Sequence, residues 1–239
     1  MPNYRHEYKF RLSALDCLTL RARLRAALRP DPHAGPSGRY RVRSVYFDNE
    51  DCAALREKLD GVAHREKFRL RWYNGELASL HLEKKVKDGS LGYKLACPLS
   101  REEAARLFQG DRAWMPASGR ALLVELYAKW NSQGLRPAVM VDYQREPFLF
   151  PAGNVRLTLD QDLRQAPFSP DLLDREPVTL PAAPGALLEV KYDQFLPGVV
   201  QCLVQLEGRQ AGAFSKYAAA RGYGAPTDEV RFSKALGLF

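Results

Sequence analysis

Between Arg65 and Trp72 every second residue is a cation, with Arg65, Lys67, Arg69 and Arg71 alternating against Phe68, Leu70 and Trp72. Successive side chains of a β-strand point to opposite faces, so this run reads as a strand with one basic face and one apolar face. The pattern recurs. Arg5, Glu7, Lys9 and Arg11 oppose Tyr4, His6, Tyr8, Phe10 and Leu12; Arg39, Arg41 and Arg43 oppose Tyr40 and Val42. His81, Glu83, Lys85 and Lys87 oppose Leu80, Leu82 and Val86, and Glu189 and Lys191 oppose Leu188, Val190 and Tyr192. A solvent face ordinarily mixes neutral polar residues with both charge signs. Cations stacked on neighbouring strands repel unless a polyanion lies among them. A nucleic-acid platform would interleave aromatic side chains with the cations so that bases could stack. Here the aromatics occupy the opposite faces, which suits phosphate chains better than bases, and the formal net charge of +8 agrees in sign.

Similar alternation at Leu91 to Cys97, Ala138 to Arg145 and Val155 to Asp160 brings the expectation to about eight strands. Asn74-Gly75 and Asp88-Gly89 between alternating runs predict antiparallel hairpins around Leu80 to Lys87. Helical spacing occurs at Ala14 to Leu28, Ser100 to Phe108, Gly119 to Asn131, Pro197 to Leu206 and Phe214 to Arg221. The fold expected is α+β: a closed antiparallel β-barrel with helices packed outside, one domain over residues 1–239. Pro167 to Gly185 reads as a surface loop, because another barrel-type strand follows it. Cys17, Cys52, Cys97 and Cys202 form no C-x-x-C pair, so neither a zinc site nor a disulfide scaffold is implied. The chain opens into an alternating segment and contains no apolar stretch of transmembrane length, so a cytoplasmic location is expected.

Glu7, Glu83 and Glu189 lie on the basic faces. Each can be a partner for its neighbouring cations, or together they can supply hard oxygen ligands to Mg²⁺ or Mn²⁺ bridging phosphate oxygens.

Seven short strings in order carry a resemblance. Glu7-Tyr8-Lys9-Phe10, Arg43-Ser44-Val45-Tyr46-Phe47-Asp48, Lys67-Phe68-Arg69-Leu70-Arg71-Trp72-Tyr73 and Leu82-Glu83-Lys84-Lys85 are followed by Val155-Arg156-Leu157-Thr158-Leu159-Asp160, Leu188-Glu189-Val190-Lys191-Tyr192 and Phe214-Ser215-Lys216-Tyr217. Nearly the whole chain resembles the VTC polyphosphate polymerase domain of the triphosphate tunnel metalloenzymes, related to CYTH proteins. The resemblance implies a tunnel-shaped barrel that binds ATP and polyphosphate with a divalent metal, often Mn²⁺, and transfers a γ-phosphoryl group onto a growing phosphate chain. Carried over, it implies catalytic roles for Lys9, Arg69, Arg71, Lys85, Arg156 and Lys191. Phosphate contacts follow for Arg43, Lys67, Lys94, Arg145 and Lys216, with Glu189, Glu83 and Glu7 as metal ligands.

Several of these have a structural alternative. Arg145 can lie just past its strand's end, Lys94 on the surface and Lys216 in a solvated helix, Arg156 can pair with Asp160, and Tyr46, Phe47 and Tyr192 read as packing residues. CYTH enzymes open with Glu-x-Glu-x-Lys, whereas Arg5 stands where their first Glu would fall. That departure turns the reading from thiamine triphosphatase or adenylate cyclase chemistry towards the VTC branch. The alternatives kept are a metal-dependent tripolyphosphatase or nucleoside triphosphatase on the same residues, and a polyphosphate-binding module without turnover. The partners expected are ATP and polyphosphate, with no nucleic acid; a membrane partner and the oligomeric state stay open.

Overall fold

The computed structural model describes residues 4–89 and 91–223. Residues 1–3, 90 and 224–239, included in the expected domain, lie outside the described residues. The strands are β1 (His6–Leu12), β2 (Arg29–Pro30), β3 (Tyr40–Asp48), β4 (His64–Tyr73), β5 (Glu76–Asp88), β6 (Leu91–Pro98), β7 (Arg136–Phe150), β8 (Val155–Pro167), β9 (Leu180–Pro181) and β10 (Ala186–Tyr192). The helices are α1 (Ala14–Ala27), α2 (Ala53–Leu59), α3 (Arg101–Phe108), α4 (Ala121–Gln133), α5 (Gly198–Val204) and the short α6 (Lys216–Ala218), which continues into a π turn at Ala219–Tyr223. Of these, α2 was not anticipated from helical spacing.

Local chemistry explains many boundaries. Ser13 with Asp16, and Ser100 with Glu103, close capping boxes at the starts of α1 and α3. Gly134 ends α4 in the left-handed conformation. Asn74 and Gly75 both take positive φ, at 51° and 77°, the backbone a two-residue hairpin turn needs between β4 and β5. At Gly185 a Cβ would stand 2.3 Å from the Leu12 carbonyl oxygen, so only glycine lets β10 begin against the end of β1.

The strands join one antiparallel sheet in the order β1-β10-β8-β7-β3-β4-β5-β6, with β2 on β7 and β9 on β8. The sheet curls until its two ends approach: Arg5 N–H donates to the Gly92 carbonyl at 3.4 Å, and the Tyr4 and Tyr93 rings meet edge to face at 5.4 Å. No ladder joins β1 to β6 among the described residues. The barrel expected to be closed is therefore a curled sheet whose edges are not laddered. Twist accumulated over eight strands brings the edge strands together at one point instead of side by side.

Two apolar cores cover the convex face. One packs α1 and α5 on β1, β8 and β10 through Leu20, Leu24, Val200, Leu157 and Leu188. The other packs α3 and α4 on β3 to β6 through Leu107, Leu123, Trp72 and Leu82. A third cluster, with Val42, Tyr46, Val139, Val141, Tyr143 and Tyr217, lines the concave side along β3 and β7. The interior thus has one apolar wall facing several basic ones. Its presence corrects the expectation that Arg39, Arg41 and Arg43 put a basic row there: the register Ser44↔Arg71 and Tyr46↔Arg69 turns Tyr40, Val42, Ser44 and Tyr46 inward.

Candidate functional site

Two residues apart on β4, Arg69 and Arg71 turn into the concave side because Phe68, Leu70 and Trp72 are buried on the convex one. Arg71 is 6% exposed; its Nε donates to Ser44 Oγ at 3.0 Å and its Nη2 to the Tyr143 hydroxyl at 3.3 Å. Arg69 donates to Glu83 Oε2 at 2.7 Å and to the Tyr46 hydroxyl at 3.1 Å. Lys94 reaches the other oxygen of Glu83 at 2.6 Å, although half of the lysine side chain stays exposed. Burial opposes ionisation of Glu83, but Arg69, Arg71 and Lys94 outweigh it and hold the carboxyl well below the usual range.

Across the interior, β1 and β10 pair Glu7 with Lys191 and Lys9 with Glu189. The four form a ring of alternating charge: Lys9 Nζ lies 3.6 Å from Glu7 and 3.7 Å from Glu189, and Lys191 Nζ lies 3.5 Å and 3.9 Å from them. Lys85 of β5 then reaches Glu7 Oε2 at 3.0 Å. β5 neighbours β6, the edge that the curl brings up to β1, so this ion pair bridges the junction and joins the basic faces of the two ends of the sheet. Glu189 is buried and also takes Lys216 at 2.8 Å and Arg145 at 3.3 Å. Asp160, from β8, receives both of those cations at 2.6 Å and 2.7 Å.

The protonation pattern follows from burial against charge. Burial opposes a charged Lys191 and brings its ammonium down to about 7 despite Glu189 and Glu7. Burial likewise takes Lys67 to about 8; its Nζ lies 5.0 Å from the Tyr217 ring centroid. Lys216 moves upward, because Asp160 and Glu189 overcome its desolvation. Glu7 and Glu189 move downward, their surrounding cations overcoming burial.

These observations place a predominantly cationic cluster on the concave side of a curled antiparallel sheet. Residues 4–223 match the VTC domain. The chain belongs to that family. Over 144 residues, 51% of this chain, it is 27% identical to vacuolar transporter chaperone complex subunit 4 of Schizosaccharomyces pombe, and the match spans 20% of that protein. In structure it is similar to a putative adenylyl cyclase from Hippeastrum described as having a dominant triphosphatase activity, with a TM-score of 0.50, 13% identity, and 94% of this chain and 98% of that one covered. It is also similar to a putative adenylate cyclase from Bacillus halodurans, at a TM-score of 0.46 and 15% identity, covering 78% and 81% of the two chains.

In this VTC domain the structure brings together Lys9, Arg69, Arg71, Lys85 and Lys94 with Arg145, Lys191 and Lys216 around Glu7, Glu83 and Glu189, while Lys67, on the same face of β4, lies against Tyr217. Arg145 lies within β7 and is buried, not beyond the strand's end. Arg156 shares the concave face, but its partners are Asp31 at 2.7 Å and the Tyr40 hydroxyl at 3.0 Å; Asp160 is taken by Arg145 and Lys216. Arg43 does not join the site. It lies on the convex face, 2.8 Å from Asp142 and 2.6 Å from Glu176, beside Arg41 on the same two acids. Arg5 pairs with Asp193 at 2.8 Å, at the entry to β1.

The three-glutamate metal set is not assembled: among the described residues no group of three or more His, Cys, Asp or Glu is placed to hold a metal ion. Glu83 has both oxygens occupied by Arg69 and Lys94. Glu189 likewise has Lys216 on one oxygen and Arg145 on the other, so Glu7, whose Oε1 is buried without a hydrogen-bond partner, is the best placed of the three. A divalent ion commonly takes only one or two carboxylates, the rest of its shell being water and phosphate oxygens. Asp160 is the site residue that sequence reasoning left out; its parity with Arg156 on β8 was the available signal. Among the described residues no helix is long and apolar enough to cross a membrane.

Proposed function

We propose that this VTC domain transfers the γ-phosphoryl group of ATP onto the end of a phosphate chain held within the curled sheet. The observation that supports the reading is the gathering of cations from both ends of the sheet on shared carboxylates, as Lys85 of β5 joins Lys9 and Lys191 on Glu7 of β1, in a space where cations outnumber carboxylates. Such a space suits a ligand with closely spaced negative charges and no bases to stack.

Arg69, Arg71, Lys85 and Lys191 grip the triphosphate, Lys9 and Arg156 flank it, and Lys67, Lys94, Arg145 and Lys216 extend the lane for the chain. Guanidinium groups already fixed by Ser44, Tyr46 and Tyr143 give up little freedom when phosphate arrives, so orientation is set before binding. Mn²⁺ or Mg²⁺, held by Glu7 and by Glu189 once phosphate has taken over Lys216 and Arg145, would neutralise charge on the phosphate oxygens. In the step itself the bond between the γ-phosphorus and its bridging oxygen breaks and leaves ADP, while a terminal phosphate oxygen of the acceptor bonds to that phosphorus. Cations fixed around equatorial oxygens stabilise this charge redistribution, and no covalent intermediate on the protein is needed.

Incubating the purified chain with ATP and Mn²⁺ and resolving the products by gel electrophoresis tests the proposal. Long phosphate chains are expected. Free phosphate alone would reassign the same residues to hydrolysis, with water as acceptor. Tight binding without either product across divalent metals would leave a polyphosphate-binding module and overturn the catalytic reading.

A further inference from the structure

Several interior arginines rest on a tyrosine: Arg69 on Tyr46, Arg71 on Tyr143 and Arg156 on Tyr40. Tyr46 stands apart by its surroundings. It is buried on β3 with its ring 5.3 Å from that of Tyr217, and the Arg69 guanidinium carbon lies 5.8 Å from its ring centre. Its oxygen accepts from Arg69 Nη1 at 3.1 Å, and among the described residues it donates to no protein group. A buried hydroxyl has one proton to give. With Arg69 and Arg71 on β4 beside it, that proton is free to turn to a phosphate oxygen lying among these cations.

We propose that Tyr46 is a further phosphate-binding residue of this site: its hydroxyl holds the Arg69 guanidinium in place and donates its own proton to a phosphate oxygen of the bound chain. The inference rests on the phosphate-chain reading and adds a neutral donor to a set of charged ones. A donor whose acceptor is an anion makes a strong hydrogen bond, and its loss also leaves Arg69 held by Glu83 without its tyrosine acceptor.

The setting supplies a readout that packing alone would not. Burial raises the Tyr46 hydroxyl, but Arg69 and Arg71, with Lys216, overcome it and bring the group down to about 8. Once ionised, the oxygen has no proton to donate and repels phosphate. The titratable and charged groups around it are Arg69, Arg71 and Lys67 of β4, Glu83 of β5, Tyr143 of β7, and Lys216 and Tyr217 of the C-terminal turn. Lys67 also loses charge near pH 8, so wild-type affinity falls with pH for two reasons, and the comparison with Tyr46→Phe isolates the hydroxyl.

The experiment is calorimetric titration of sodium tripolyphosphate, without divalent metal, into wild type, Tyr46→Phe and Arg69→Ala at pH 6.5 and pH 9. Phenylalanine preserves the ring against Tyr217. At pH 6.5 the phenylalanine variant should bind about tenfold more weakly than wild type, and at pH 9 the two should converge. An ultraviolet titration of wild type should show a tyrosinate forming near pH 8 that is absent from Tyr46→Phe and that tripolyphosphate displaces to higher pH. If Tyr46→Phe binds like wild type at pH 6.5 while Arg69→Ala is impaired, Tyr46 is a packing residue and the proposal is overturned. If Arg69→Ala also binds like wild type, the phosphate-site reading itself fails.

Discussion

Glu189 is the carboxylate on which the interior is centred, and replacing it by glutamine separates its charge from its shape. Lys216, Arg145, Lys9 and Lys191 approach it at 2.8, 3.3, 3.7 and 3.9 Å. An amide keeps one acceptor oxygen but leaves these cations with less compensation. Removing one member of a buried ion pair costs ~3–5 kcal/mol, mainly through the charge left behind. Asp160 still holds Arg145 and Lys216, so the lower figure applies here, about 3 kcal/mol. For a domain of this size ~1 kcal/mol moves the melting temperature by about 2–4 °C, giving a fall of about 6–12 °C in a thermal melt by circular dichroism. Tripolyphosphate then supplies the missing negative charge. At a hundredfold excess over Kd a ligand adds about 2.7 kcal/mol, so in EDTA the saturated Glu189→Gln variant should melt close to ligand-free wild type. Its ligand-induced rise should be at least as large as wild type's. With Mn²⁺ present the order should reverse, because only wild type keeps both Glu7 and Glu189. An unchanged melting temperature, or a smaller tripolyphosphate effect in the variant without metal, would refute the idea that Glu189 stands in for substrate charge.

Arg69→Ala and Arg71→Ala should each weaken tripolyphosphate binding by ~1.5–3 kcal/mol in calorimetry, with a steep dependence on salt; unaltered affinity would remove them from the site. Arg43→Met should leave that affinity within about twofold while destabilising the fold by ~3 kcal/mol, since Asp142 loses a buried partner; lost affinity at full stability would return Arg43 to the interior. Lys191 predicts a pH dependence of a definite sign. Its ammonium is depressed from 10.5 to about 7, so tripolyphosphate affinity should rise as pH falls through 7. The folded chain binds this proton more weakly than the unfolded one, so the group's contribution to stability should increase as pH rises from about 7 towards 10.5. Lys191→Met should flatten both profiles, and a variant that titrates like wild type would contradict the assignment.

Most of the site could be read from strand parity because, on β1, β4, β5 and β10, one parity is ionic and the other apolar. The faces of β4 are unambiguous: Phe68, Leu70 and Trp72 must be buried, and Arg69 and Arg71 follow on the other side. On β3 both faces are buried, so polarity alone gives the wrong phase. Arg43 shares parity with Val45 and Phe47, which enter the convex core, and that longer view of the strand would have corrected it. The acids that neutralise Arg43, Asp142 and Glu176, lie about a hundred residues and more away in sequence, and nothing local announces them. Closure failed to be legible for a related reason: strand count and alternation fix the faces of a sheet, whereas the meeting of its edges depends on accumulated twist. Arg145 keeps the parity of Val141 and Tyr143, and what local alternation could not show is that β7 runs on past it to Phe150.

On the proposed function, the carboxylates among the cations bear on turnover as much as on folding. Without them the repulsion among Lys9, Lys85, Lys191, Arg145 and Lys216 would oppose closure of the curled sheet; with them each cation already has a partner at 2.6–3.9 Å. An entering phosphate chain therefore exchanges one anion for another, and the free energy released is the difference between two strong interactions. Such an exchange limits affinity, as the proposed release or advance of a product would require. Lys67 stands outside this exchange: among the described residues it has no ion pair, and it rests on the Tyr217 ring. A phosphate there relieves an uncompensated charge without displacing a carboxylate. Lys67→Met should accordingly weaken tripolyphosphate by more than Lys94→Met, although both positions lie on the same face. Equal losses in parallel titrations would show that exchange with Glu83 costs the chain nothing.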